Sequence, residues 1–102
     1  MKDINWCRQN IEPLLDGFEV KYKVFADGDF GDLERIDFNS KEIGGSVRLW
    51  SSGVLEIDLV DYISGESLMN ILLWPEEDSE KEQKLKELVE QLASRRTRKC
   101  SR

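Results

Sequence analysis

The chain has 102 residues, of which 21 are acidic, 15 are basic and none is histidine. A chain of this length forms one domain that buries roughly 60–70% of its unfolded surface. The lack of histidine excludes Ser-His-Asp, Cys-His and His-metal chemistry. The charge is unevenly placed: residues 1–94 hold 10 basic and all 21 acidic side chains, net −11, and RRTRKCSR (95–102) holds five basic and no acidic ones, net +5. An acidic body repels phosphate backbones, so no direct nucleic-acid binding is expected of the folded part.

Along Asp3–Leu15, Ile4, Cys7, Ile11 and Leu14 fall on one stripe. That spacing predicts an amphipathic helix, with Asp3 as its cap and Pro13 ending or kinking it near Glu12. The segment MKDINWCRQN lacks the apolar run of a secretion signal, and no stretch approaches the ~18 apolar residues of a membrane span. No membrane contact and a cytoplasmic location are therefore expected. Cys7 reads as a buried helix residue and Cys100 as part of a polar tail, a spacing that suits neither a disulfide nor zinc.

Strands follow. Phe18, Val20, Tyr22 and Val24 alternate with Glu19, Lys21 and Lys23, the pattern of a half-buried strand. The acidic stretch FADGDFGDLE (25–34) reads as a glycine-rich hairpin loop with solvated acids. Ile36 and Phe38 then alternate with Arg35 and Asp37, Val47 and Leu49 with Arg48 and Trp50, and Leu55, Ile57 and Leu59 with Glu56 and Asp58. Leu68–Trp74 is apolar at both parities, short, and stopped by Pro75. It reads as a fifth strand covered on both faces, by the helices or by a second chain. Ser79-x-x-Glu82 has the form of a capping box, and Leu85, Leu88, Val89 and Leu92 give the last helix its apolar stripe.

The expected architecture is α+β. It is a two-layer sandwich with an N-terminal helix, an antiparallel β-meander of four to five strands and a C-terminal helix, in one domain over residues 1–94. Residues 95–102 are expected to form a disordered basic tail, although such a run could also grip nucleic acid or an acidic surface.

Three chemistries can be tried on the acids. Counted from Asp27 as a calcium loop, Asp29 fits the third position, but Gly31, Asp32 and Phe38 fall where a ligand, a glycine and a bidentate glutamate belong. No metal or cofactor is expected. Paired carboxylates as acid and base need a pocket that separates their pKa values, which nothing in the pattern provides, so no enzyme is expected. The remaining reading is a binding surface. Glu56 and Asp58 oppose the buried parity, as do Asp37, Trp50 and Tyr62, which sets aromatics among acids as interface anchors are set. The plainer alternative folds Trp50 over an edge strand and leaves the acids to keep the protein soluble. Phe30 either plugs the sheet edge or makes contact.

The run GGSVRLWSSGVLEIDLVDYISGESLMNILLWPEE, Gly44 to Glu77, resembles the small immunity proteins of bacterial contact-dependent inhibition and related polymorphic toxin systems. The resemblance implies a cytoplasmic protein that neutralises a cognate toxin by direct binding. Many such toxins are nucleases with basic clefts, and an acidic surface suits them. The field is expected from Asp27, Asp29, Asp32, Glu34, Asp37, Glu56, Asp58 and Asp61, with Trp50, Tyr62 and Phe30 as anchors. A monomer is expected, with a homodimer as the alternative. The rival reading is an acidic secretion chaperone or adaptor that binds a partner chain through the apolar surface near 68–74.

Overall fold

The computed structural model describes residues 4–28 and 31–100. Helix α1 (Ile4–Asn10) leads through a 3-10 turn, Glu12–Leu14, into strands β1 (Glu19–Gly28), β2 (Gly31–Asn39), β3 (Ile43–Trp50), β4 (Leu55–Asp61) and β5 (Ser67–Leu73). A second 3-10 turn, Pro75–Glu77, opens helix α2 (Asp78–Cys100). The five strands form one antiparallel meander in chain order, and both helices pack against the same face of it. The α+β layout read from the sequence is the layout of the molecule.

Alternation explains the layering. Ile36, Phe38, Val47, Ile57 and Leu59 are fully buried on the helix side, where they meet Ile4, Cys7 and Ile11 from the first segment and Leu85, Leu88 and Leu92 from α2. Side chains two apart share a face of a strand, and those three or four apart share a face of a helix, so each element offers one apolar side. Each fully buried aliphatic side chain contributes about 1.5–3 kcal/mol. Gly45 serves the same core. It pairs with Phe38 across β2 and β3, and a Cβ there would meet the Phe38 ring at 3.0 Å and run into the Asp58 carbonyl. The missing side chain is the space the Phe38 ring occupies.

Two contacts lock the helical segments to the sheet. The Tyr22 hydroxyl of β1 donates to the Glu12 carboxylate, with the Arg8 guanidinium 4.4 Å from the centre of the Tyr22 ring. Burial, then the hydrogen bond and charge of Glu12, push the Tyr22 hydroxyl up to about 12, with Arg8 pulling the other way. On α2, Lys81 is 4% exposed and its Nζ donates to the Gly53 carbonyl. That bond holds the β3–β4 turn against the start of the helix.

Several expectations need correction. The acidic stretch is largely strand on either side of residues 29–30: β1 runs to Gly28 and β2 starts at Gly31, Phe25 pairs with Leu33 and Gly28 with Gly31 after a register shift. The strands continue because backbone pairing does not require apolar side chains at every position. Ser79 is not the cap of α2, which starts one residue earlier after the turn at Pro75. Strand β5 is covered on one face only: Met69 and Leu73 are buried, whereas Leu72 and Trp74 are 44% and 42% exposed. Segment 95–100, expected as a tail, is the C-terminal end of α2.

Gly45→Val should lower stability by about 1–3 kcal/mol through overpacking against Phe38, read as a fall in thermal midpoint. Unfolded tyrosine ionises near 10 and Tyr22 near 12, so between these values the unfolded chain holds fewer protons and stability falls as pH rises. Urea titrations at intervals from about pH 9 to about pH 12 should show Tyr22→Phe losing less stability than the parent across this window.

Candidate functional site

The face of the sheet turned away from the helices is uncovered. Strand registers arrange it in rows that cross the sheet. Phe25, Leu33 and Trp50 form an apolar row over β1, β2 and β3. The next row is Lys23, Arg35, Arg48, Glu56 and Leu72, followed by Lys21, Asp37, Ser46, Asp58 and Asn70. The last is Glu19, Asn39, Gly44 and Val60.

Lys23, Arg35 and Arg48 thus stand side by side on neighbouring strands, and like charges in that relation repel. The acids offset this. Asp37 accepts from Arg35 Nε at 2.7 Å and lies 3.9 Å from Lys23 Nζ. Arg48 Nη1 donates to both Glu56 Oε1 and Asp58 Oδ2, each at 2.9 Å. All three members of that triad are half-buried, so their attraction is less screened than that of a fully exposed pair. Lys21 lies 3.5 Å from Glu19. Over these rows four cations meet four carboxylates.

The uniformly acidic field expected from the sequence is therefore absent from this face, because each acid there stands beside a cation of the same parity. The β1–β2 side of the grid carries a slight excess of positive charge (Lys21, Lys23 and Arg35 against Glu19 and Asp37) and the β3–β4 side an equal negative excess.

A shallow groove of about 410 Å³ crosses the centre. Gly44 and Ser46 form its floor because they are the smallest side chains in their rows. Tyr62, 49% exposed, lies across Gly44 and donates its hydroxyl to Asn39 Oδ1. A Cβ on Gly44 would collide with that hydroxyl and with the Asn39 oxygen. At the other end Phe25 is 46% exposed, with Leu33 and Trp50 half-buried. The β3–β4 turn rests on Pro75, which a Cβ on Gly53 would meet at 3.2 Å, so Trp74 flanks the same end.

Of the residues expected to bind, Asp37, Trp50, Glu56, Asp58 and Tyr62 come together on this face. Asp32 and Glu34 do not, because they have the parity of Ile36 and point to the helix side of the sheet. Asp32 is exposed there, and its backbone N–H donates to Ser51 Oγ at 2.9 Å. Asp61 also has the opposite parity: its Oδ1 accepts from the backbone of Ile63 and Ser64 at 2.9 and 3.2 Å and shapes the β4–β5 turn. Asp27 lies near the end of β1; Asp29 and Phe30 lie outside the described residues. The residues missed were Lys21, Lys23, Phe25 and Leu33; Leu72 and Trp74 belong to the 68–74 surface of the rival reading and are exposed. The parity argument that placed Asp37 also places the two lysines.

Among the described residues no cluster of three or more carboxylates and thiols could hold a metal ion, and no helix is long and apolar enough to cross a membrane. Comparison with protein-family models, curated proteins and solved structures returned no match.

Arg48→Met should leave Glu56 and Asp58 side by side without their cation and cost about 1 kcal/mol. Denaturant titration should show the loss shrinking as salt screens the two carboxylates.

Proposed function

We propose that this protein is a non-enzymatic binding module that neutralises a protein toxin by direct contact, as the immunity proteins it resembles do, and that the contact is made by the uncovered face of the sheet. The observation that supports this reading is the apolar row Phe25–Leu33–Trp50 running along a grid of matched charges. Apolar anchors beside a polar, hydrogen-bonding surface are the anatomy of a non-obligate protein interface. The charge-balanced grid selects a partner with alternating charges of its own, and the aromatic row supplies the buried area that keeps the partner bound. The partner need not present a uniformly basic cleft to this face. The acidic excess lies off this face, on exposed Asp16, Glu66 and Glu76 in the turns and on Glu80 and Glu90 in the first half of α2, where it would steer a basic partner without entering the contact.

The exposed Leu72 and Trp74 favour a second reading, a chaperone or adaptor that holds a partner chain along β5. The two readings differ in which side chains matter and in whether the partner is folded.

Mixing the protein with a toxin domain encoded beside it, and following growth or nuclease activity, tests the first reading. Trp50→Ala should weaken protection by roughly 10–100-fold in Kd, the usual range for an interface anchor. Glu80→Ala and Glu90→Ala should slow association and leave the lifetime of the complex intact. Lost protection from the α2 variants, with Trp50→Ala behaving as the parent, would remove the sheet face from consideration.

A further inference from the structure

The two edges of the sheet differ in chemistry. Edge strand β1 carries Glu19, Lys21 and Lys23 along its length, and charges of this kind discourage a further strand from pairing. Edge strand β5, SLMNILL, has no charged residue and no proline, and β4 alone pairs with it. A strand paired on one side turns every second N–H and C=O outward. The usable length is set by a bulge. Ser67 pairs with Val60 and Met69 with Leu59, so Leu68 is the extra residue, and it packs against the core. The regular edge therefore runs from Met69 to Leu73, about 17 Å. Asn70 and Leu72 stand on its uncovered face, with Trp74 just beyond.

The charge around this edge selects the occupant. From residue 49 to residue 80 the chain holds eight acidic side chains and no basic one. Arg48 offsets only Glu56 and Asp58. Glu66 precedes β5 and Glu76 follows it, and both are exposed. An apolar edge with a carboxylate at each end repels a second copy of itself and attracts a segment with basic ends.

We infer that β5 takes an extended segment of a partner protein as a sixth strand, apolar or β-branched in the middle and lysine or arginine at both ends. Backbone pairing along Met69–Leu73 gives the affinity, as it does wherever a peptide extends a sheet. Leu72 and Trp74, 44% and 42% exposed, cover the segment's side chains on the open face, and Glu66 and Glu76 hold its ends. The inference rests on the second reading, in which a partner chain lies along β5, and names that chain's conformation and charge. It is independent of any contact through the Phe25–Leu33–Trp50 row. A footprint this short gives weak binding, with Kd on the order of 100 μM at low salt, and salt weakens it further.

The probe is the blocked heptapeptide KVTVTVK, titrated into the full isotope-labelled chain and followed by NMR. Amide shifts should centre on Met69–Leu73, and the outward amides of β5 should exchange more slowly with solvent. The acid-ended peptide EVTVTVE should bind about tenfold more weakly, two attractions having become repulsions. Glu66→Lys combined with Glu76→Lys should reverse that preference, with an unchanged thermal midpoint showing that the fold is kept. N-methylation of the interior amides of KVTVTVK leaves the side chains in place and should abolish binding, because it removes the pairing donors. No shifts on β5, equal binding of the two peptides, or binding that survives N-methylation would each overturn the pairing. Retention of an unfolded chain through Leu72 and Trp74 without slowed β5 amides would also overturn it, while leaving the second reading in place.

Discussion

Both helices of this chain land on one face of a five-stranded meander, and the other features of the surface follow from that placement. A sheet with one covered face has to make the second face compatible with water while keeping the strand alternation that built the core. Most outward residues of β1 to β4 are therefore polar or small, with Phe25, Leu33, Trp50 and Val60 as the exceptions, and the polar ones gather in rows fixed by register. Lys23, Arg35 and Arg48 could not stand on adjacent strands without nearby carboxylates. The acids on this face are counterions for their own chain before they are ligands for any other. Individually such pairs contribute little to stability. Their effect is to let a cationic row sit on a folded sheet.

The acidic composition divides into separate jobs once the structure is in view. Asp37, Glu56 and Asp58 hold cations. Asp61 makes a turn, and Glu77 accepts the Trp74 backbone N–H at 3.0 Å to shape the entry to α2. Glu80, Glu82 and Glu90 remain exposed on the outer side of that helix. A net charge summed over the chain treats these groups alike, whereas an acid held beside a cation of its own chain adds little to a long-range field. The location of the field follows from pairing, which register decides.

The strands, the order of elements and the faces of Asp37, Trp50, Glu56, Asp58 and Tyr62 were all legible in the sequence, because an alternation with period two carries through a meander whatever the register. What was not legible has specific causes. Glycines and aspartates in FADGDFGDLE resemble a loop, yet β1 extends to Gly28 and β2 begins at Gly31, and this extension places Asp32 and Glu34 on the helix side. The start of α2 was displaced because Pro75 opens a 3-10 turn, with the Glu77 N–H on the Trp74 carbonyl, and the helix continues directly from it at Asp78. The ion-pair grid requires knowing that Lys23 lies across from Arg35 and Arg35 across from Arg48. Parity alone gives a shared face without neighbours. Leu72 and Trp74 were read as covered, by the helices or by a second chain, because the whole of 68–74 is apolar, and one-sided coverage by the helices leaves them exposed in this chain.

One consequence concerns how such a surface acts if it binds a protein as proposed. The grid is close to neutral overall, so at distances beyond a Debye length of roughly 8–10 Å it exerts little net pull. The attraction a basic partner feels from afar originates in the acidic turns and in the first half of α2, on surfaces that do not dock. Close to the sheet the balance reverses: the alternating charges fix the angle of approach, the groove over Gly44 and Ser46 accepts a protruding group, and the Phe25–Leu33–Trp50 row loses water. Encounter and retention are then properties of different faces of the molecule. The acidic composition can drift without changing what is bound, so long as Arg48 keeps its two carboxylates and the apolar row stays uncovered.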